Sequence, residues 1–209
     1  LDNAQDFKKG LNIIVSESRR LTKMVEELLE FSRIEDGRFN LNIEMIDIQA
    51  EFEDAVYTYR EYFKKEGIEL NYTDPEREFP PLPGDPERLR QVFSNLLDNA
   101  AKHGGSGKRI DTTIGEEEGY AAIVIRDYGS GIPEEELPHV KEKFYKGSSK
   151  ARGNGIGLAV CDEIIQRHGG RLDIDNAKDG HGCVVTILLP MTSATPTPAP
   201  TTPDETKSA

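Results

Sequence analysis

The stretch Asn95-Leu96-Leu97-Asp98-Asn99-Ala100-Ala101-Lys102-His103 carries the first chemistry in this chain. On a helix, residues spaced i, i+4 and i+7 share a face, so Asn95, Asn99 and Lys102 form one polar line. Amide oxygens can coordinate a hard cation, and a lysine can meet a phosphate as a point charge. The bland alternative is a solvent-facing line on an ordinary helix. Asparagine is a poor helix former, however, and nothing local rewards it twice. Leu89, Val92, Phe93, Leu96, Leu97 and Ala100 form the opposite, apolar face, which predicts a helix packed into a core.

Two glycine motifs follow. Asp127-Tyr128-Gly129-Ser130-Gly131 ends the apolar run 121–126. A carboxylate at a strand end can accept a hydrogen bond from an exocyclic amine such as adenine's, and Gly129 and Gly131 allow tight turns beside a planar ring. Aspartate and glycine are equally common in a plain strand-ending turn. Gly153-Asn154-Gly155-Ile156-Gly157-Leu158 stands before a helix pattern, where glycines admit a phosphate close to free N–H groups. It follows no strand, so it is not the dinucleotide-binding fingerprint, and it lacks the Gly-Lys-Ser/Thr ending of a P-loop. The polar stretch 146–153 before it reads as a flap over the site. Together the three motifs read as one nucleotide site.

The elements that must position these residues are legible in part. Phe7, Leu11, Ile14, Ser18, Leu21, Val25, Leu28 and Ser32 repeat every four and three residues, which predicts one coiled-coil-like helix over 4–35. Ile13, Val15, Met24, Leu29 and Ile34 widen its stripe, which needs partner helices, and Gly37 is a stop signal. From residue 43 the pattern becomes α/β. Strands are predicted at 43–46, 68–72, 108–114, 120–127, 171–176 and 182–189. Asp47 caps a helix to about residue 66, and Asp85-Pro86 opens the asparagine helix. Residues 75–83 read as a proline-rich loop, 134–142 as a short helix opened by Pro133, and 155–168 as a second helix closed by Gly169-Gly170. Three parts result: 1–42, a globular part at 43–191, and a Pro/Thr-rich tail at 192–209 that cannot bury a core.

Composition narrows the class. The 209 residues hold 26 basic and 38 acidic side chains, a formal charge of −12, which argues against a nucleic-acid partner. No run of about 18 apolar residues exists, and no secretory segment opens the chain, so this part is expected to be cytoplasmic. The chain begins at Leu1, so it reads as a fragment whose parent protein could carry a membrane anchor. Cys161 and Cys183 sit in apolar runs and read as buried reduced thiols, with a disulfide between them left open.

In this order, Asn95-x-x-x-Asn99-Ala-x-Lys102, Asp127-x-Gly129-x-Gly131, Phe144-Tyr145 and Gly153-x-Gly155-x-Gly157-Leu158 resemble the N, G1, F and G2 boxes of sensor histidine kinases of two-component systems. The resemblance covers about 1–190. It implies the Bergerat ATP-binding fold, an α/β (α+β) two-layer sandwich with a mixed sheet packed on helices. It also implies that helix 4–35 is the second helix of a dimerisation and phosphoacceptor hairpin, a homodimer contact and a platform for a response-regulator receiver domain. ATP and Mg2+ are the implied cofactors. Asn99 would hold the metal, and Asn95 would lie near the γ-phosphate. Lys102, His103 and Lys146 would contact phosphates. Asp127 would read the adenine amine, with Gly129 and Gly131 flanking the base. Gly153, Gly155, Gly157 and Leu158 would form the phosphate-side lid and helix start. Asn95 and Lys102 would carry catalysis.

Related ATPases such as gyrase place a glutamate where Asn95 stands. An amide cannot take a proton from water, so slow hydrolysis and transfer to another nucleophile are implied. The sequence departs from the family at three points. Lys141 replaces the earlier phenylalanine of the F box, and Lys143 and Lys146 stand for its arginines, without their bidentate grip. The phosphoacceptor motif is absent: His103, His139, His168 and His181 all lie outside helix 4–35, so the acceptor is expected upstream. His168, before Gly169-Gly170, is expected to act in a helix end, and His139 and His181 to face solvent. Two other readings stand beside the kinase: a serine kinase of the anti-sigma type on the same fold, and a degenerate dimerising docking module.

Overall fold

A computed structural model describes residues 2–148 and 155–191. The first element is the long helix α1 (Asp2–Glu35). Its final turns are followed by Gly37 in the left-handed region, φ +66°, which ends the helical hydrogen bonding. Strand β1 (Glu44–Ile46) leads into helix α2 (Ile48–Lys65), capped by Asp47, whose Oδ1 accepts the Ala50 N–H at 3.0 Å. Strands β2 (Glu69–Thr73) and β3 (Leu82–Gly84) precede helix α3 (Pro86–Gly104). The hairpin strands β4 (Arg109–Glu117) and β5 (Tyr120–Asp127) follow, then helix α4 (Gly157–Arg167) and strands β6 (Arg171–Asn176) and β7 (Cys183–Pro190).

The main sheet has the order β2-β4-β5-β7-β6. Only β2 and β4 run parallel; the other pairings are antiparallel, so the sheet is mixed. Alternation sends Ile110, Thr112 and Ile114 of β4 and Ala121, Ile123 and Ile125 of β5 to the buried side. There they join Leu89, Val92, Phe93, Leu96 and Leu97 of α3 and Val160, Ile164 and Ile165 of α4 in one core. Phe52 of α2 meets Phe93 edge-on at 5.1 Å. The result is the expected two-layer arrangement, helices on one face of a mixed sheet.

Two expectations fail, both at prolines. Residues 134–142 form turns and a single 3-10 turn, Leu137–His139, rather than a helix. Pro138 lacks an N–H and its ring crowds the preceding turn, so an α-helix cannot pass through it. Conversely, the expected loop 75–83 contributes β3, which pairs with β1 in an antiparallel ribbon, Pro83 opposite Met45. A two-stranded ribbon has free edges on both sides, where a missing N–H is tolerated. The tail 192–209 and Gly153 lie outside the described residues. Both cysteines are buried free thiols. Among the described residues no helix is long and apolar enough to cross a membrane.

The joint between α1 and the sheet layers is tightly bonded. Phe39, 3% exposed, lies between two guanidinium groups, Arg88 of α3 at 4.7 Å and Arg167 of α4 at 5.3 Å from its ring centre. Arg167 also donates to the Phe39 carbonyl at 2.8 Å. Glu30 of α1 is buried and accepts from Arg88 and Gln91. Asp85, the cap of α3, takes the Arg88 N–H on Oδ1 and the Asn42 N–H on Oδ2. Its own N–H donates to His168 Nε2 at 2.9 Å. His168 Nδ1 lies 2.7 Å from the Ile164 carbonyl, which can only accept, so the neutral ring has its proton on Nδ1. Its role at the end of α4 is therefore structural, and burial lowers its pKa below the ordinary imidazole value.

Candidate functional site

α3 is anchored at one end by its cap and along one face by the core, which fixes the direction of its other side chains. Asn95, 8% exposed, and the half-buried Asn99 face a cavity of about 710 Å³ between α3, β5, β7 and the start of α4. Asn95, Asn99, Lys102, His103, Asp127, Gly131, Lys146, Gly155, Gly157 and Leu158 all line it. Gly129 does not. It packs against the end of α3 instead, where a Cβ would stand 2.6 Å from Gly104 Cα.

Asp127 is the most closely surrounded of these groups. A Cβ on Gly104 would overlap its side chain, and one on Gly182 would overlap its carbonyl, so two glycines from separate segments close around it. Its Oδ1 accepts N–H groups from Gly129 at 2.9 Å and Cys183 at 3.2 Å. No hydrogen bond from a described residue reaches Oδ2. Burial raises its pKa, while the Gly129 and Cys183 N–H groups, His103 and Arg126 act in the opposite direction. The carboxylate is thus fixed through one oxygen and offers the other to the cavity. Desolvation and then the Lys102 charge lower the His103 pKa, against the pull of Asp127, and favour a neutral ring. Burial and Asp127 push the Cys183 thiol up to about 12, so it is an inert wall rather than a nucleophile.

The two ends of the cavity differ chemically. Ile125, Ile132, Ile174 and Val185 surround the Asp127 end with apolar surface. Asn95, Asn99, Lys102, Lys146 and the N-terminus of α4 bring amides and two lysines to the other end, with Glu27, Asp98 and Glu136 also on the lining. An apolar slot with one carboxylate acceptor, opening to amides and lysines, fits a purine attached to a polyphosphate. Among the described residues no three His, Cys, Asp or Glu side chains converge to hold a metal. The donors present, Asn95 and Asn99, suit a hard cation whose remaining ligands come from phosphate and water.

Sequence reasoning missed several lining groups. Glu27 reaches the cavity from α1, and Glu136 from the segment after β5, whereas Tyr145 belongs to the expected F box and Gly147 and Ser148 to the expected flap. Ile174 and Val185 close the apolar end from β6 and β7. Their alternation in those strands was a signal for one buried face, but not for a cavity. Lys141 bonds Asp162 at 3.0 Å and the Leu172 carbonyl at 2.9 Å, anchoring the segment where the family motif has a phenylalanine. His139 and His181 are exposed.

Comparison with known proteins agrees with this geometry. Residues 84–193 match the family described as histidine kinase-, DNA gyrase B-, and HSP90-like ATPase. The signal transduction histidine-protein kinase AfsQ2 of Streptomyces coelicolor is 36% identical over 199 residues, covering 94% of this chain and 35% of AfsQ2. This chain therefore spans only about a third of the length of the curated relatives it matches. Among solved structures, the mycobacterial sensor histidine kinase MprB is 31% identical with a TM-score of 0.59, covering 70% of this chain and 96% of that one. Full-length ShkA, solved in complex with AMPPNP, shares the fold at a TM-score of 0.72 and 23% identity, over 82% of this chain and 36% of that one. With its matched segment enclosing the asparagine helix, Asp127 and the start of α4, the chain belongs to the histidine kinase-, DNA gyrase B- and HSP90-like ATPase family.

Proposed function

We propose that this chain is the ATP-binding catalytic part of a two-component sensor histidine kinase. The observation that carries the reading is the Asp127 carboxylate, immobilised by two backbone N–H groups with one oxygen turned to an apolar slot. That oxygen accepts the adenine amine, and Gly131 borders the base. Asn99 would hold Mg2+, and Asn95 would lie near the γ-phosphate. Lys102, His103 and Lys146 meet the phosphates, and Gly155, Gly157 and Leu158 bring the start of α4 to them. Bound there, the metal would neutralise charge developing on the transferring group; the chain's own residues would position that group and exclude water. An amide at Asn95 cannot act as a base toward water, so ATP is held for a nucleophile outside the cavity. That nucleophile is a histidine borne by another segment, for relay to a response-regulator receiver domain. The exposed stripe of α1 pairs with a second copy and with a partner helix.

The test uses labelled ATP. The chain binds a fluorescent ATP analogue with Mg2+ at micromolar concentration, and γ-label is not incorporated into the isolated chain. Label appearing on His103, His139, His168 or His181 overturns the assignment of the acceptor. Failure of any ATP analogue to bind overturns the whole reading.

A further inference from the structure

A carboxylate stands at the lysine-bearing side of this cavity. Glu136, placed by its N–H to the Pro133 carbonyl at 2.8 Å, turns its side chain onto the segment Lys146-Gly147-Ser148. Its Oε1 accepts the Ser148 N–H at 2.8 Å. The chain at Gly147 lies so close that a Cβ there would overlap Oε2. All four residues line the cavity. A glycine without a side chain and a donated backbone N–H, closed on an anion beside a lysine in sequence, is the chemistry by which loops grip phosphate.

The carboxylate is poorly placed for its charge. The cavity already holds Glu27, Asp98 and Asp127, in a chain of formal charge −12. A further anion there opposes an incoming polyphosphate. What it gains is the Ser148 N–H. A nucleotide phosphate offers that N–H a stronger acceptor and offers Lys146 a partner as well.

We infer that Glu136 occupies the seat of a nucleotide phosphate, and that Lys146-Gly147-Ser148 is a phosphate-gripping loop with a built-in competitor. ATP binding exchanges one anion for the other: the Ser148 N–H passes from carboxylate to phosphate, and Glu136 swings out. The inference rests on the nucleotide reading of the cavity and adds to it a residue that sets affinity against, rather than for, the ligand.

Calorimetric titration of the full 209-residue chain with ATP and with adenosine, in Mg2+, tests it. Glu136→Ala is expected to bind ATP about three- to tenfold more tightly, the range of one hydrogen bond released from competition. Glu136→Gln, which keeps an acceptor for Ser148 but loses the charge, falls between it and the parent. Adenosine binds all three alike. In the parent chain the Ser148 amide resonance moves on adding ATP but not adenosine. Unchanged or weaker ATP binding by both variants, while the parent binds ATP, overturns this inference alone. An equal gain for adenosine also overturns it, because the effect then lies in the fold. A parent chain that binds neither ligand overturns the nucleotide reading itself.

Discussion

Helices α1 and α3 are both long and amphipathic, yet the fold uses them in opposite ways. The apolar face of α3 is buried: Leu89, Val92, Phe93 and Leu97 have no exposed surface. Its polar line is left to the cavity. In α1 the stripe faces outward, with Phe7 72%, Ile14 64% and Leu21 54% exposed. Its last turns dock through Glu30, Phe31 and Ile34. Two similar periodic patterns thus encode different things. One is satisfied inside this chain and holds chemistry in place. The other is an unsatisfied face, which points to association.

This contrast can be broken in several ways. The largest effect is expected at the buried face: Phe93→Ala leaves a cavity under the sheet and should cost about 3–5 kcal/mol of stability in a urea melt. A loss below 1 kcal/mol would mean that α3 is not a core helix. Next comes the polar face. Asp127→Asn keeps an acceptor for Gly129 and Cys183 but can turn an N–H toward the adenine amine. ATP affinity should fall by about 1.5–3 kcal/mol, with the melting curve little changed. Equal affinity would remove Asp127 from recognition.

The cap of α3 gives a pH-dependent effect of moderate size. His168 must be neutral to accept the Asp85 N–H, and its folded pKa lies below the unfolded one. Its contribution is therefore fully present above the unfolded value of about 6.5 and is lost as pH falls through the folded value. Melts from pH 8 to pH 5 should show this loss, and His168→Ala should flatten it. A profile that stays the same in the variant would assign the pH dependence elsewhere. The smallest effect on folding is expected on α1. Leu21→Asp should leave the unfolding of the sheet layers within about 0.5 kcal/mol, as for other exposed sites, while abolishing self-association in sedimentation. A variant that still self-associates would show that the stripe is not the contact.

Much of this was legible because it is local. The caps Asp47 and Asp85, the asparagine helix and the strand ending at Asp127 follow from spacing and end signals within a few residues. The failures also have local causes: Pro138 stops a helix where Pro133 suggested the start of one, and Pro83 hides a strand that needs only one partner. What could not be read was closure in three dimensions. Gly104 and Gly182 closing on Asp127, and His168 receiving the N–H of a residue 83 positions earlier, depend on contacts that no window of sequence contains. The cavity followed the same division. The residues on α3 and the glycine motifs were found as motifs. Glu27, Glu136, Ile174 and Val185 become neighbours of the site only through the order of the strands and the docking of α1.

The ring of Phe39, clasped by Arg88 and Arg167, has a mechanical meaning. The helices that supply those arginines are the same two whose far ends border the nucleotide cavity: α3 with Asn99 and Lys102, α4 with Gly157 and Leu158. Phe39 thus ties the segment that leaves α1 to both helices at once. A displacement of that segment would reach both jaws of the cavity.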